Sequence, residues 1–209
     1  MTKARVGFAL LALLLPFLLH ATHFTKNDLL NKEASKIIED IGSELFAKTG
    51  INAYAIATNE HFPEAFNLVE YSRKYESNMS KPFVILIFAP NALITAKSKE
   101  RGRVGLIASS DELKQLYSAS DIKDATIDVV ATKDKNTKKD KYAIGVVQGY
   151  SELADQIATT KGIKMTTTIP NDTKVIIRYL QYLVFLGSIF VLWIFLIRPI
   201  YIRIKHGTK

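Results

Sequence analysis

Near the end of the chain, Tyr179 to Ile197 (YLQYLVFLGSIFVLWIFLI) runs for about 19 residues without a charged side chain. As an α-helix such a run rises about 1.5 Å per residue, roughly 28 Å in all, close to the hydrocarbon thickness of a bilayer. Arg198 follows at once, then Pro199 and the basic tail IYIRIKHGTK. The pattern predicts a transmembrane helix over 175–198 and a basic cytoplasmic tail over 199–209. A segment apolar on every side does not pack into a small soluble domain, so the fold has to be built upstream of it.

The distribution of charge supports this division. The net charge is +8, from 28 Lys and Arg against 20 Asp and Glu. Every acidic residue lies between Asp28 and Asp172. Seven of the basic residues lie outside 24–176: Lys3, Arg5, Arg178, Arg198, Arg203, Lys205 and Lys209. The middle of the chain is therefore almost neutral. A nucleic-acid surface would need its basic excess on the folded domain, so no nucleic-acid partner is expected. Lys3, Arg5, Arg198, Arg203 and Lys205 instead flank the two apolar ends, as in proteins whose basic flanks stay cytoplasmic. The lipid bilayer is the expected partner of both ends.

At the N-terminus, Lys3 and Arg5 precede an apolar run from Val6 to Leu19. Two readings of 1–23 stay open: a signal peptide cleaved after Ala21, or an uncleaved membrane anchor. Both place the central domain outside the cytoplasm, in the periplasm of a bacterial envelope, held at the inner membrane. The chain has no cysteine, which excludes disulfides, thiolate nucleophiles and cysteine-ligated metals.

Residues 24–160 read as the folded domain. Thr25 to Asp28 resembles a helix cap, and Leu30, Ala34, Ile37, Ile38, Ile41 and Leu45 recur at helical spacing up to a stop at Gly50. INAYAIAT, 51–58, reads as a buried strand. Pro63 is expected to open a helix over 63–78. FVILIFAP, 83–90, reads as a central strand bounded by prolines, joined to 51–58 by a right-handed crossover. Segments 92–97 and 103–109 read as further, locally antiparallel strands. Helices are expected over 111–117, where Ser109 or Ser110 is the cap, over 121–131 and over 142–158. KDKNTKKDK, 133–141, reads as a charged loop, and 161–174 as a polar tether. The expected fold is α/β: a small three-layer α/β/α sandwich with a short mixed sheet, plus the C-terminal transmembrane helix.

This order resembles the TPM-domain family of membrane-tethered or secreted α/β domains. The resemblance covers about 25–160. It rests on the helix ending at Lys48, Thr49, Gly50 and Ile51, on the strand and turn FVILIFAPN, and on DKYAIGVV, 140–147. It implies a periplasmic or lumenal domain next to a membrane anchor. Family members include divalent-metal-binding phosphatases, photosystem II repair factors and auxiliary subunits of a membrane receptor. The chain departs from the family where Ser80, Lys81 and Pro82 replace its Asp-Asn-Gly. It departs again where ASSDE, 108–112, replaces Gly-Tyr-Gly-Leu-Glu. Those departures weigh against the catalytic branch.

The residues offer little chemistry of their own. His61 is the one histidine well inside the domain, and no HExxH, GxSxG, P-loop or GxGxxG occurs. Asp121, Asp124 and Asp128 fall on one helical face, with Asp111 and Glu112 nearby in sequence. They are the candidate ligands for Ca²⁺ or Mg²⁺, set against an ordinary solvated acidic face. Asn78 is an N-x-Ser acceptor, a candidate for glycosylation. Gln181, Gly187 and Ser188 are candidates for docking a partner helix. The expected function is a non-catalytic accessory, assembly or repair subunit of a larger inner-membrane protein complex. The alternative is a divalent-metal-dependent phosphatase of the TPM type, and a single-pass envelope protein without a fixed partner is the plainest reading.

Overall fold

The two most apolar runs of the central region become the two inner strands of a sheet. In the computed structural model, residues 22–170, 172–198 and 207 are described, and within 172–198 the side chains of 182–195, 197 and 198. Strand β1 is Phe24–Asn27, β2 is Asn52–Ala57, β3 is Phe83–Leu93 and β4 is Arg101–Ala108, in the spatial order β1-β2-β3-β4. β1, β2 and β3 are mutually parallel, and β4 returns antiparallel to β3. The sheet is thus mixed, with β2 and β3 buried along their paired length. β3 is not stopped by Pro90. It runs on to Leu93 through a register shift between Ala89 and Leu93, where a residue lacking an N–H interrupts no regular ladder. The expected separate strand at 92–97 is therefore the end of β3 and its turn.

Strand alternation sorts the core into two layers. Ala53, Ala55, Ala57, Val84, Leu86 and Phe88 face one side. There they meet helices α1 (Lys32–Thr49), α4 (Ala119–Ala131) and α5 (Lys138–Thr160). Tyr54, Ile56, Phe83, Ile85 and Ile87 face the other side, under helix α2 (Leu68–Glu76). Each fully buried Ile or Leu contributes about 1.5–3 kcal/mol of apolar transfer. β1, α1, β2, α2 and β3 advance in one direction across the sheet while α1 and α2 cover opposite faces. The two crossovers therefore have opposite hands, and one of them departs from the right-handed rule.

Several helix starts differ from the sequence expectation because a better cap lies further along. Thr25 is in β1, and α1 begins after Asn31, whose side chain accepts from the Ala34 N–H at 2.8 Å. Pro63 opens no helix. Asn67 caps α2 by accepting from Val69 and Glu70 N–H at 3.0 and 3.2 Å. Thr137 caps α5 within the expected charged loop, so Lys138 to Lys141 are helical. The short helix α3 is Asp111–Lys114, and Ser110 at its start makes no side-chain cap. Gly50 ends α1 in the left-handed region, φ 71°, as its position implied.

The first folded unit runs to Ile169 and takes in much of the expected tether. Lys48 Nζ donates to the Lys164 carbonyl at 2.8 Å, and Met165 is buried. The amides of Thr166 and Thr167 donate to Glu44 at 2.9 and 2.8 Å, and the Ile169 amide donates to Ser151 Oγ at 2.6 Å. Residues 163–169 form a strap held across α1 and α5 rather than a free linker.

The second unit contains helix α6 (Asp172–Leu192), followed by a π-helical turn, Trp193–Ile197. Among the described residues, no helix is long and apolar enough to cross a membrane. The single apolar helix expected over 175–198 is instead divided where the α-helical ladder gives way at Trp193. From Tyr182 to Ile197 every described side chain is exposed or half-buried.

Candidate functional site

Parallel strands of an α/β sheet present ligands and polar groups at their carboxyl ends. Here the ends of β1 and β2 carry a polar network. Asp28, just past β1, accepts at Oδ2 from Thr58 Oγ1 (3.3 Å) and from the Asn59 amide (3.1 Å). Lys26 Nζ lies 3.4 Å from Asp28 Oδ2 and also pairs with Glu60. Tyr71, on the buried side of α2, donates to Glu60 Oε1 at 3.0 Å, and Tyr75 donates to the Tyr71 hydroxyl at 3.3 Å. Beside them, Asn91 Nδ2 donates to Asn59 Oδ1 at 2.8 Å.

The electrostatics of this network favour the charge states found at neutral pH. The Glu60 carboxylate raises the Lys26 ammonium above its ordinary value. Lys26, outweighing partial burial and helped by Tyr71, holds the Glu60 carboxyl below its own. Burial pushes the Tyr71 phenol up. All three shifts lock the charge state found at neutral pH, whereas a general acid or base works best with a pKa near the operating pH. The assembly is suited to fixing the β2–α2 loop. That loop carries His61, which is exposed.

A second polar cluster lies in the layer between sheet and helices. His23, expected to belong with the N-terminal segment, is buried inside the domain. Its amide donates to both Glu39 carboxylate oxygens, at 3.0 and 2.9 Å, and its Nδ1 lies 3.0 Å from the Ala53 carbonyl. Tyr150 donates to the same carbonyl at 2.7 Å. The folded unit therefore reaches back past Phe24.

The carboxylates proposed from spacing do not converge. Asp111 is exposed and paired with Lys114 at 2.7 Å. That contact holds its carboxyl below the ordinary value. Asp121 lies in the first turn of α4 and its amide donates to Ser118 Oγ, while Asp124 and Asp128 are exposed on the same helix. Among the described residues, no group of three or more His, Asp or Glu side chains is placed to hold a metal ion. The donor set does not fit Ca²⁺ or Mg²⁺, which call for several converging oxygens. The two segments that depart from the TPM pattern do meet, at the amino end of β3. There Ser109 Oγ accepts from the Phe83 amide at 3.0 Å, and the Ser80 amide donates to the Tyr54 hydroxyl at 3.1 Å. Hydroxyls bonded to backbone occupy this end of the sheet.

Asn78 is exposed in the turn after α2, where a glycan would meet no packing. Gly187 is exposed, with open space where a Cβ would stand. Ser188 donates to the Val184 carbonyl at 2.8 Å, so its proton is used within its own helix. Arg198 is exposed at the end of the π-helical turn. Lys3, Arg5, Arg203 and Lys205 lie outside the described residues, as does the Gln181 side chain. No protein-family model and no curated protein sequence matches the chain.

The polar network was not legible as a site in the sequence. Its members come from four separated segments, and only the pairing of β1 with β2 brings Lys26 to Glu60. The one local signal was the run of polar residues Thr58 to His61 directly after an apolar strand.

Proposed function

We propose that this chain is a non-catalytic accessory or assembly subunit of a larger membrane protein complex. Its TPM-like α/β domain stands in the periplasm, anchored at the inner membrane through Tyr179–Ile197. The observation that carries the reading is the exposed apolar surface from Tyr182 to Ile197, which ends at Arg198 and the basic tail. Side chains of that kind are unfavourable in water, and a bilayer or a partner helix would cover them. The charge-locked network around Glu60 agrees with a domain that presents a surface rather than turns over a substrate. Gly187 offers a partner helix a close approach, and Lys3, Arg5, Arg203 and Lys205 set orientation.

Affinity purification from native membranes in mild detergent tests the proposal. Stoichiometric co-purification of other membrane proteins is expected. A lone monomer would overturn the accessory reading. Phosphate-ester hydrolysis dependent on Ca²⁺ or Mg²⁺ would establish the phosphatase in its place.

A further inference from the structure

β4 is an edge strand: among the described residues, β3 pairs with it on one side and no strand lies on the other. Its free backbone groups follow from the ladder. The Ser109 amide donates to the Phe83 carbonyl at 2.9 Å, so Phe83 and Ser109 form a hydrogen-bonded pair. In an antiparallel ladder such pairs alternate. Ile107, Gly105 and Arg103 then bond inward to β3, while the N–H and C=O of Leu106 and Val104 point outward. β-Bulges, proline and short length usually blunt an edge of this kind. Here the register shift lies beyond Ala89, opposite Arg103, and leaves Val104 to Ala108 regular.

The two faces of this edge differ in chemistry. Val104 and Leu106 face the layer of α4 and α5, where a groove of about 280 Å³ runs beside the edge. Phe88, Val104, Val130 and Tyr142 line it, Arg101 and Arg103 border it, and Ile127 of α4 overhangs it while 47% exposed. The opposite face, toward α2, carries Arg103, whose guanidinium donates to the Phe66 carbonyl at 2.6 Å. Arg101 likewise donates to the Asn91 carbonyl at 2.8 Å. Neither guanidinium has a carboxylate partner among the described ion pairs. Lys97 and Lys99 at the exposed hairpin tip add positive charge against Glu100 alone.

We propose that β4 accepts an extended segment of a partner protein in which apolar and acidic residues alternate. Residues directly opposite each other on neighbouring strands share a face. The residue opposite Val104 therefore enters the apolar groove beneath Ile127. Its neighbours on either side fall on the face of Arg103, where a carboxylate supplies the missing counter-charge. Backbone bonds to Val104 and Leu106 give affinity, and the two faces set the register, the usual division of labour in strand addition. This deepens the accessory-subunit reading by naming the surface. It rests on that reading only for the origin of the segment.

The test uses the full chain in detergent micelles and a fluorescein-labelled octapeptide of alternating Glu and Val, followed by anisotropy. Saturable binding is expected, with the matching Lys–Val octapeptide at least about tenfold weaker, the ratio that 1.4 kcal/mol represents. Val104→Pro removes an outward N–H without touching the β3 ladder and should weaken binding at least about tenfold with the circular dichroism spectrum unchanged. Arg103→Glu should reverse the preference between the two peptides, which a merely structural lesion would not do. Absence of binding, equal affinity for both peptides, or indifference to both substitutions overturns the proposal. A peptide-free dimer dispersed by Val104→Pro would assign the edge to a second copy and overturn it as well. Peptide binding is read on the purified chain and co-purification on membranes, so either reading can fail alone.

Discussion

On one face of β2 stand Ala53, Ala55 and Ala57; on the other stand Tyr54 and Ile56. The alanine face receives α1 and α5, and close approach continues outward between the helices. A Cβ on Gly149 would lie 1.9 Å from Thr126 Oγ1, and one on Gly42 would lie 2.4 Å from the His23 ring. Among the described residues the opposite face has one helix above it, the short α2, and aromatic rings fill the remaining space. Phe62 stacks on Phe66 at 4.2 Å between centroids and meets Tyr71 edge-on at 5.0 Å, while Tyr54 meets Phe83 at 6.2 Å. One face is stabilised by how near backbones come, the other by how much ring area a thin layer buries. The first should be intolerant of added atoms and the second of removed ones.

The largest effect is expected on the aromatic side. Phe83→Ala should cost about 3–5 kcal/mol, because a single nine-residue helix has little freedom to collapse into the vacated space. Urea unfolding of the full chain in mild detergent, followed by far-UV circular dichroism, measures it. A loss below about 1 kcal/mol would mean that α2 settles inward, and the asymmetry between the faces would fall away.

The next effect inverts a familiar rule. Gly to Ala inside a helix ordinarily stabilises by up to about 1 kcal/mol. At Gly149 the added methyl meets Thr126, whose buried hydroxyl already donates to the Ile122 carbonyl at 2.9 Å and would lose that bond by turning away. Gly149→Ala should therefore destabilise by about 1–3 kcal/mol. Adding Thr126→Ala should recover most of that loss, a coupling that a double-mutant cycle reads directly. The same change at exposed Gly187, where a Cβ meets nothing within 4 Å, serves as the control and should cause no loss. If Gly149→Ala is neutral by itself, α4 and α5 can part, and the alanine face is not limited by contact.

The elements that periodicity and apolar runs revealed were those with at least one continuous buried face. β2, the start of β3, and helices α1, α4 and α5 belong to this class. The elements that stayed hidden are held by polar bonds to distant residues. β1 is four residues, FTKN, with no apolar run, and it forms because Ala55 to Ala57 offer it a ladder. The start of α1 lies beyond its expected place because Thr25 and Asn31 are both competent caps, and strand pairing claims Thr25 first. His23 looked like part of the N-terminal segment because its burial depends on Glu39 and Ala53. The strap reads as a linker because its threonines bury no side chain and instead donate to distant carboxylates, Thr166 and Thr167 to Glu44 and Thr168 to Asp155. The candidate site follows the same rule. The acidic residues close in sequence, from Asp111 to Asp128, stay apart from any metal-holding group, and the network that forms joins Lys26, Asp28, Thr58, Glu60 and Tyr71. Sequence shows what is local, and here most of the polar chemistry is not.

Glu44 carries the smallest and most local prediction, and it separates the two faces by their response to acid. Burial alone would raise its carboxyl. Lys48 at 2.6 Å, together with the hydroxyls and amides of Thr166 and Thr167, outweighs that and holds it well below the ordinary 4.5. A carboxyl depressed in the folded state contributes stability that is fully present above its unfolded value and is lost as pH falls through its folded one. The strap should therefore keep its protection down to about pH 4.5 and loosen progressively below it. Hydrogen exchange at the Thr166 and Thr167 amides, read against pH, shows this. Glu44→Gln removes the charge and should speed exchange at those two amides by about tenfold at neutral pH, the weight of one charged hydrogen bond. It should also abolish their acid dependence. On the aromatic face Glu60 is depressed as well, chiefly by Lys26, but it anchors no strap, and its protonation should leave the same amides unchanged. If Glu44→Gln leaves exchange untouched, the strap is held by buried Met165, by the Lys48 bond to the Lys164 carbonyl and by the Ile169–Ser151 bond. The alanine face would then be no more acid-sensitive than the other.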